Sequence, residues 1–278
     1  MKIINLIENT PGMPGCIFAH GLSFYIETKK HKLLLDLGPS EDTLKNAEAL
    51  GIDLSKVDTV ILSHGHYDHS GGIMPFTKIN NSAKIYMQSL AAGEYYADDG
   101  PDAPERFRYI GIDKDISKLP QVTFIDGDYM IDDELELFTV KNRTHDLPFT
   151  NKRLLIKRED GFVSDDFSHE HFLVINEMGK QVLLSGCAHN GILSILDAYK
   201  TKYGRMPDAV ISGFHLMKKT EYSVLQTEEI KNIARELSVF PIRFFTCHCT
   251  GLPAFEIMKD IMGDKLIYVH SGEEINDL

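Results

Sequence analysis

Short apolar runs, rich in Ile, Leu, Val and Phe and closed by turn residues, recur along the whole chain. Such runs read as strands. They fall at 3–7, 22–27, 32–36, 58–63, 83–88, 122–126, 134–140, 152–157, 171–176, 181–185, 208–212, 242–247 and 266–269. Longer segments with apolar residues at three- and four-residue spacing predict helices over 41–50, 70–77, 190–203, 223–238 and 252–262. The stripe in 223–238 is Ile230, Ile233, Ala234 and Leu237. In 252–262 it is Phe255, Met258, Ile261 and Met262, with Gly263 placed to cap the helix. Many strands with few, separated helices fit a layered α/β fold.

Residues 89–120 interrupt this rhythm. Ala97-Asp98-Asp99-Gly100-Pro101-Asp102-Ala103-Pro104-Glu105 is turn-rich and acidic, and Arg106-Phe107-Arg108-Tyr109 follows. We expect one domain over 1–278, with this insertion either capping a cleft as a lid or running over the surface pinned by Phe107 and Tyr109.

Composition narrows the function. A chain of 278 residues has ample material for a core. It contains no apolar run long enough to span a bilayer, so no membrane role is expected. Met1-Lys2-Ile3-Ile4-Asn5 enters a strand directly and lacks the marks of a signal peptide, which makes a cytoplasmic location the default. The net charge of −12 argues against a nucleic-acid partner. A small-molecule substrate fits better, and self-association into a homo-oligomer stays open. Four cysteines do not suggest a disulfide framework.

Candidate chemistry concentrates in His64-Gly65-His66-Tyr67-Asp68-His69, four metal-type ligands in six residues. The apolar run 58–63 delivers them, and Ser70-Gly71-Gly72 turns closely away. Mixed imidazole and carboxylate donors suit divalent ions, one or two of them: Zn²⁺ first, with Mn²⁺, Fe²⁺ and Mg²⁺ as alternatives. Of the twelve histidines, His189, His215 and His248 also stand at strand ends beside small residues that let backbone approach a buried ion. His31, among Lys29, Lys30 and Lys32, reads as a solvated turn residue, and His145, His169, His171 and His270 lack the strand-end setting. Cys247 and Cys249 flank His248, and on an extended strand both would point away from it. Cys187, two residues before His189, can reach the cleft.

The motif resembles the His-x-His-x-Asp-His signature of the metallo-β-lactamase superfamily, and Leu33-Leu34-Leu35-Asp36-Leu37-Gly38 looks like its first, acidic strand-end motif. His20-Gly21-Leu22-Ser23, Ser185-Gly186-Cys187-Ala188-His189-Asn190-Gly191, Gly213-Phe214-His215-Leu216 and His248-Cys249-Thr250-Gly251 resemble the dihydropterin ribofuranosylaminobenzene phosphate synthases. The resemblance implies an αββα four-layer sandwich. It also implies a ligand allocation: His64, His66 and His189 for one ion, and Asp68, His69 and His248 for a second. Asp68 would also orient the attacking water, and His215 would be a ligand, a proton donor or a pocket wall. Asp36 would support a ligand histidine from behind, and His20 would line the pocket. Most binuclear members carry a bridging Asp where this chain has Cys187. Cys187 replaces that bridge or stands outside it, and packing or outer-layer duty is the expectation. The implied activity is a metal-dependent hydrolase, or a pterin-transferring synthase that releases diphosphate, acting on a small polar, phosphorylated substrate. The alternatives are a non-catalytic metal-binding sensor or interaction module and a di-iron redox centre.

Overall fold

The structure is a computed structural model that describes residues 1–276. The strands are β1 (Lys2–Ile7), β2 (Ser23–Glu27), β3 (Lys32–Leu35), β4 (Thr59–Ile61), β5 (Lys84–Gln88), β6 (Tyr95–Asp98), β7 (Phe107–Tyr109), β8 (Val122–Ile125) and β9 (Tyr129–Met130). Then come β10 (Leu135–Phe138), β11 (Leu154–Arg158), β12 (Gly161–Ser164), β13 (Phe172–Glu177), β14 (Lys180–Leu184), β15 (Ala209–Ile211), β16 (Arg243–Thr246), β17 (Leu266–Tyr268) and β18 (Glu274–Ile275). The helices are α1 (Asp42–Ala49), α2 (Tyr67–Ser70), α3 (Ile73–Ile79), α4 (Ile192–Tyr203), α5 (Val224–Ser238) and α6 (Leu252–Met262).

Alternation within the strands decides how the layers stack. One sheet runs β18-β1-β2-β3-β4-β5-β8 and the other β17-β16-β15-β14-β13-β10-β9. Leu33, Leu35 and Ile61 of the first pack against Leu173, Val182, Leu184 and Ile211 of the second. The intervening Leu34 and Val60 turn outward onto Ala47 of α1 and Phe76 of α3. Leu183 and Val210 likewise meet Ile195, Ile230, Ala234 and Met258 of α4, α5 and α6. Strands buried on both faces therefore read as continuous apolar runs. The result is the αββα sandwich.

Two expectations need correction. The helix foreseen over 70–77 is split: α2 takes up motif residues 67–70 and α3 starts at Ile73. Gly71 and Gly72 lie between them, where a Cβ would sit 2.0 Å from the Pro39 carbonyl oxygen and 2.3 Å from that of Leu37. His31 is not merely solvated. Its Nδ1 lies 2.7 Å from Asp58 and its Nε2 2.8 Å from Asp132, so it ties the β2–β3 turn to the β9–β10 turn. Neighbouring lysines describe its local charge, but tertiary contacts bring the acids.

Within 89–120, β6 and β7 pair as a hairpin and join β11 and β12 in a third sheet, ordered β12-β11-β6-β7. Tyr95, Ala97, Ile110, Leu154, Ile156 and Phe167 form its small core. Among the described residues, no helix is long and apolar enough to cross a membrane.

Candidate metal centre

Parallel pairing brings the chemistry to one edge. β3 runs parallel to β4, and β14, β15 and β16 run parallel to one another. Their carboxyl ends therefore align, as they do around ligands in open α/β sheets. β3 leads to Asp36, β4 to His64, β14 to Cys187 and His189, β15 to His215, and β16 to His248. The chain turns sharply there: Asp36, Ala188, His215 and His248 have φ of 60°, 55°, 49° and 49°. Backbone strain of this kind clusters at functional sites. Glycine permits the close approach of the strand ends, since a Cβ on Gly186 would lie 2.3 Å from Ser63 Oγ and one on Gly213 2.4 Å from Cys249 Sγ.

Two sets of donor atoms result. His64, His66 and His189 bring one atom each within 4.8 Å of one another, and the Nε2 atoms of His64 and His189 are 3.3 Å apart. In the second set, His69 Nε2 lies 3.3 Å from His248 Nε2 and 3.8 Å from Asp68 Oδ2, which is 3.4 Å from His248 Nε2. Donors about 2.1 Å from a tetrahedral ion lie about 3.4 Å apart, so both spacings fit a divalent metal. His66 Nε2 is buried without a hydrogen-bond partner, as an atom meant for an ion would be. The residues present fit the group.

A surrounding layer aims these rings. Asp36 accepts at Oδ2 from His69 Nδ1 (2.6 Å) and Ser63 Oγ (2.7 Å), and Ser63 Oγ in turn lies 2.8 Å from His64 Nδ1. Asn151 Oδ1 stands 3.0 Å from His189 Nδ1, and Asn9 Oδ1 2.8 Å from His248 Nδ1. Each contact engages Nδ1 and leaves Nε2 for the centre. Glu170 accepts from the His189 and Asn190 amides, both at 2.8 Å. His169 accepts the Gly65 N–H at 2.9 Å and packs against the Tyr95 ring of the third sheet, with centroids 4.0 Å apart and planes tilted by 37°. Phe167 stacks flat on His189 at 4.7 Å.

Burial, reinforced by neighbouring rings, holds His64 and His189 well below the ordinary imidazole value and His66 at about 3. They are neutral, as ligands must be. Burial also works against a charged His69, but the Asp36 and Asp68 carboxylates outweigh it and hold that ring up at about 9. Burial raises Asp68, yet His69, His248 and His20 more than reverse it. A cation there would take over from the His69 proton.

The other foreseen residues surround this core. His20 stands at the mouth with half its side chain exposed, its Nε2 3.4 Å from Asp68 Oδ2. His215 is half-buried and its ring centroid is 4.1 Å from that of His189. His145 and His270 lie apart, paired with Asp197 and Thr10. Cys187, expected in an outer or packing role, has its Sγ 3.2 Å from His69 Nε2. Cys247 faces the inter-sheet core as foreseen, but Cys249 does not turn away. β16 ends at Thr246 and His248 opens a tight helical turn, so Cys249 comes round to Cys187 and His248. Asn9, Tyr95, Asn151, Phe167 and Glu170 carried no signal in the sequence.

The pattern of the metallo-beta-lactamase superfamily matches residues 17–199, more than half of the chain. The chain belongs to that superfamily. A Methanocaldococcus jannaschii protein named 7,8-dihydropterin-6-methyl-4-(beta-D-ribofuranosyl)-aminobenzene-5'-phosphate synthase is 29% identical, over 99% of this chain and 96% of that one. An uncharacterized protein of the same organism is 25% identical, over 97% and 98%. The crystal structure of a metal-dependent hydrolase of the beta-lactamase superfamily superposes with a TM-score of 0.81 at 27% identity, covering 100% of this chain and 99% of its own. Zn²⁺-bound PqqB from Methylobacterium extorquens, 14% identical with full coverage of both chains and a TM-score of 0.58, shares the fold.

Proposed function

We propose that this superfamily member is a metal-dependent hydrolase, or a pterin-transferring synthase, acting on a small polar, phosphorylated substrate. One observation carries the reading: six side chains, His64, His66 and His189 with Asp68, His69 and His248, present donors at metal-ion spacing around two adjacent points. They would hold two divalent ions, Zn²⁺ ahead of Mn²⁺, Fe²⁺ or Mg²⁺ given the nitrogen-rich donors. When bound, such ions act as Lewis acids toward a phosphoryl or carbonyl oxygen and lower the pKa of water.

The chain's own groups complete the chemistry. Asp68 orients the attacking water and accepts its proton, and His20 at the mouth relays that proton to solvent, 3.4 Å from the Asp68 carboxylate. His215, beyond His189, donates to the leaving group. Arg108 and Arg153 both pair with Asp99, Lys219 adds to its surrounding positive charge, and Arg108 also bonds Tyr67, the residue before Asp68. Three cations around one carboxylate leave positive charge beside the cleft, which supports an anionic substrate. The synthase reading draws on the archaeal relative of that name, which aligns over nearly the full length of both chains.

The test combines metal analysis with turnover of phosphodiester, lactone and pterin diphosphate probes. His64→Ala and His66→Ala should each lose most bound metal and activity while keeping the far-ultraviolet circular dichroism of the fold. His145→Ala should match wild type. Full metal retention in both ligand variants overturns the assignment. Bound metal with no turnover of any probe favours a sensor or interaction module, and iron with reversible redox chemistry favours the di-iron alternative.

A further inference from the structure

We propose that Cys187 is itself a metal ligand, its thiolate bridging the two ions between the donor triads. The inference rests on the binuclear reading above and deepens it. Cys187 Sγ lies within 4.8 Å of donor atoms of His64 and His69, of His189 and His215, and of His248 and Cys249. Ligands of both triads therefore surround one sulfur. Its contact with His69 Nε2 is 3.2 Å, near the spacing of about 3.6 Å for a thiolate and an imidazole on one tetrahedral ion.

Local backbone explains the placement. β14 ends at Leu184, and the left-handed turn at Ala188, φ 55°, swings Cys187 and His189 into the same cleft. Gly186 lets this segment press against Ser63 and Asp36, which support the first motif. Cys187 is 3% exposed, and ring nitrogens of His64, His69, His189, His215 and His248 lie within 4.8 Å of its sulfur. The neighbouring Cys249 Sγ donates to the Cys187 carbonyl oxygen at 3.4 Å and lies near His248 as well, so substitution must tell the two sulfurs apart.

Binding involves no change of oxidation state. The Cys187 S–H bond breaks, its proton leaves to solvent, and the sulfur lone pairs form the metal–sulfur bonds. A sulfur in the bridge makes the centre softer than one bridged by a carboxylate, favouring Zn²⁺, Co²⁺ or Fe²⁺ over Mg²⁺.

The experiment loads the full-length protein with Co²⁺ and, separately, Zn²⁺. Wild type should bind two Co²⁺ per chain with a sulfur-to-cobalt charge-transfer band, and X-ray absorption of the Zn²⁺ form should find sulfur at about 2.3 Å. Cys187→Ser should abolish both signals and weaken the second ion more than about tenfold, a loss at least as large as that from disturbing a ligand's supporting residue. Cys249→Ser and Cys247→Ser should keep both signals. If Cys187→Ser does not fold, Cys187→Asp should retain two ions without the band. A two-cobalt wild type with no band, a band that survives Cys187→Ser or Cys187→Asp, or one lost only in Cys249→Ser overturns the proposal. Failure of the functional reading looks different: the sulfur signals remain and no probe is turned over.

Discussion

Asn9 and Asn151 do the same job for different histidines. Asn9 lies 2.8 Å from His248 Nδ1 and donates to the His248 carbonyl at 3.3 Å; Asn151 lies 3.0 Å from His189 Nδ1 and donates to the His189 carbonyl at 2.7 Å. Each amide clamps a ring and its own backbone, fixing which nitrogen faces the centre. Asp36 does this for His69 and, through Ser63, for His64. Asp36→Asn keeps the shape, and Asn tolerates the left-handed backbone at φ 60°. It removes the charge and one acceptor. Metal affinity should fall about 10–100-fold, and the metal-free protein should also melt lower, because Asp36 is the buried partner of the protonated His69 ring. Chelator competition measures this, and wild-type affinity would show that the carboxylate is only a turn residue. Asp36 was readable because it ends an apolar run before glycine. The two asparagines were not, because only their partners give an amide this role.

At the scale of elements, the third sheet matters because Tyr95 of β6 packs against His169, which in turn accepts the Gly65 N–H inside the metal motif. Its outer turn makes no such contact with the centre. Replacing residues 100–105 by Asn-Gly should leave metal content unchanged and raise KM with kcat near wild type if the turn overhangs the substrate. Unaltered kinetics on every accepted substrate would reduce it to a surface excursion. β6, β7 and β12 escaped the sequence pattern because they are short, aromatic and half-exposed, whereas strands buried on both faces announced themselves. His31 gives a second prediction. Burial lowers its pKa, but the Asp132 and Asp58 hydrogen bonds outweigh this and raise it above the ordinary imidazole value of 6.5. A raised folded-state pKa stabilises fully below 6.5 and is lost as pH rises through the folded value. His31→Gln should therefore cost about 1 kcal/mol or less below pH 6.5, Asp58 being open to solvent, and the cost should fade at higher pH. Thermal melts across pH measure it, and a pH-independent difference contradicts the charged bridge.

The whole molecule closes its two sheets around the centre, so an ion that binds only the folded state should stabilise all of it. At a free Zn²⁺ concentration 100 times Kd the gain is about 2.7 kcal/mol, or roughly 5–10 °C in Tm for a chain of this size. The gain should depend on pH. His69 is held up at about 9 by Asp36 and Asp68, so an ion must displace its proton at lower pH. The metal-free protein also loses this proton's stabilisation as pH rises through about 9. This single proton competition makes the increment at a fixed free Zn²⁺ concentration grow from pH 6 to pH 9. Calorimetric scans with Zn²⁺ and with chelator test this, and an increment that shrinks with pH would remove His69 from the ligand set.

Period-two and helical spacing, the run His64–His69 and the strand-end histidines were local properties, and from them the sequence alone determined a layered α/β fold and a set of candidate metal donors. Strand order and the small third sheet came from long-range pairing, such as β11 of residues 154–158 beside β6 of residues 95–98. The turns at Ala188 and His248 decided where Cys187 and Cys249 point, because a reversal of φ redirects side chains in a way that strand alternation cannot foresee. Burial, likewise a tertiary property, keeps His64, His66 and His189 neutral, while the Asp36 and Asp68 carboxylates favour the charged form of His69. A histidine's type is written in the sequence, but its proton depends on the carboxylates and rings that the fold brings within a few ångströms of it.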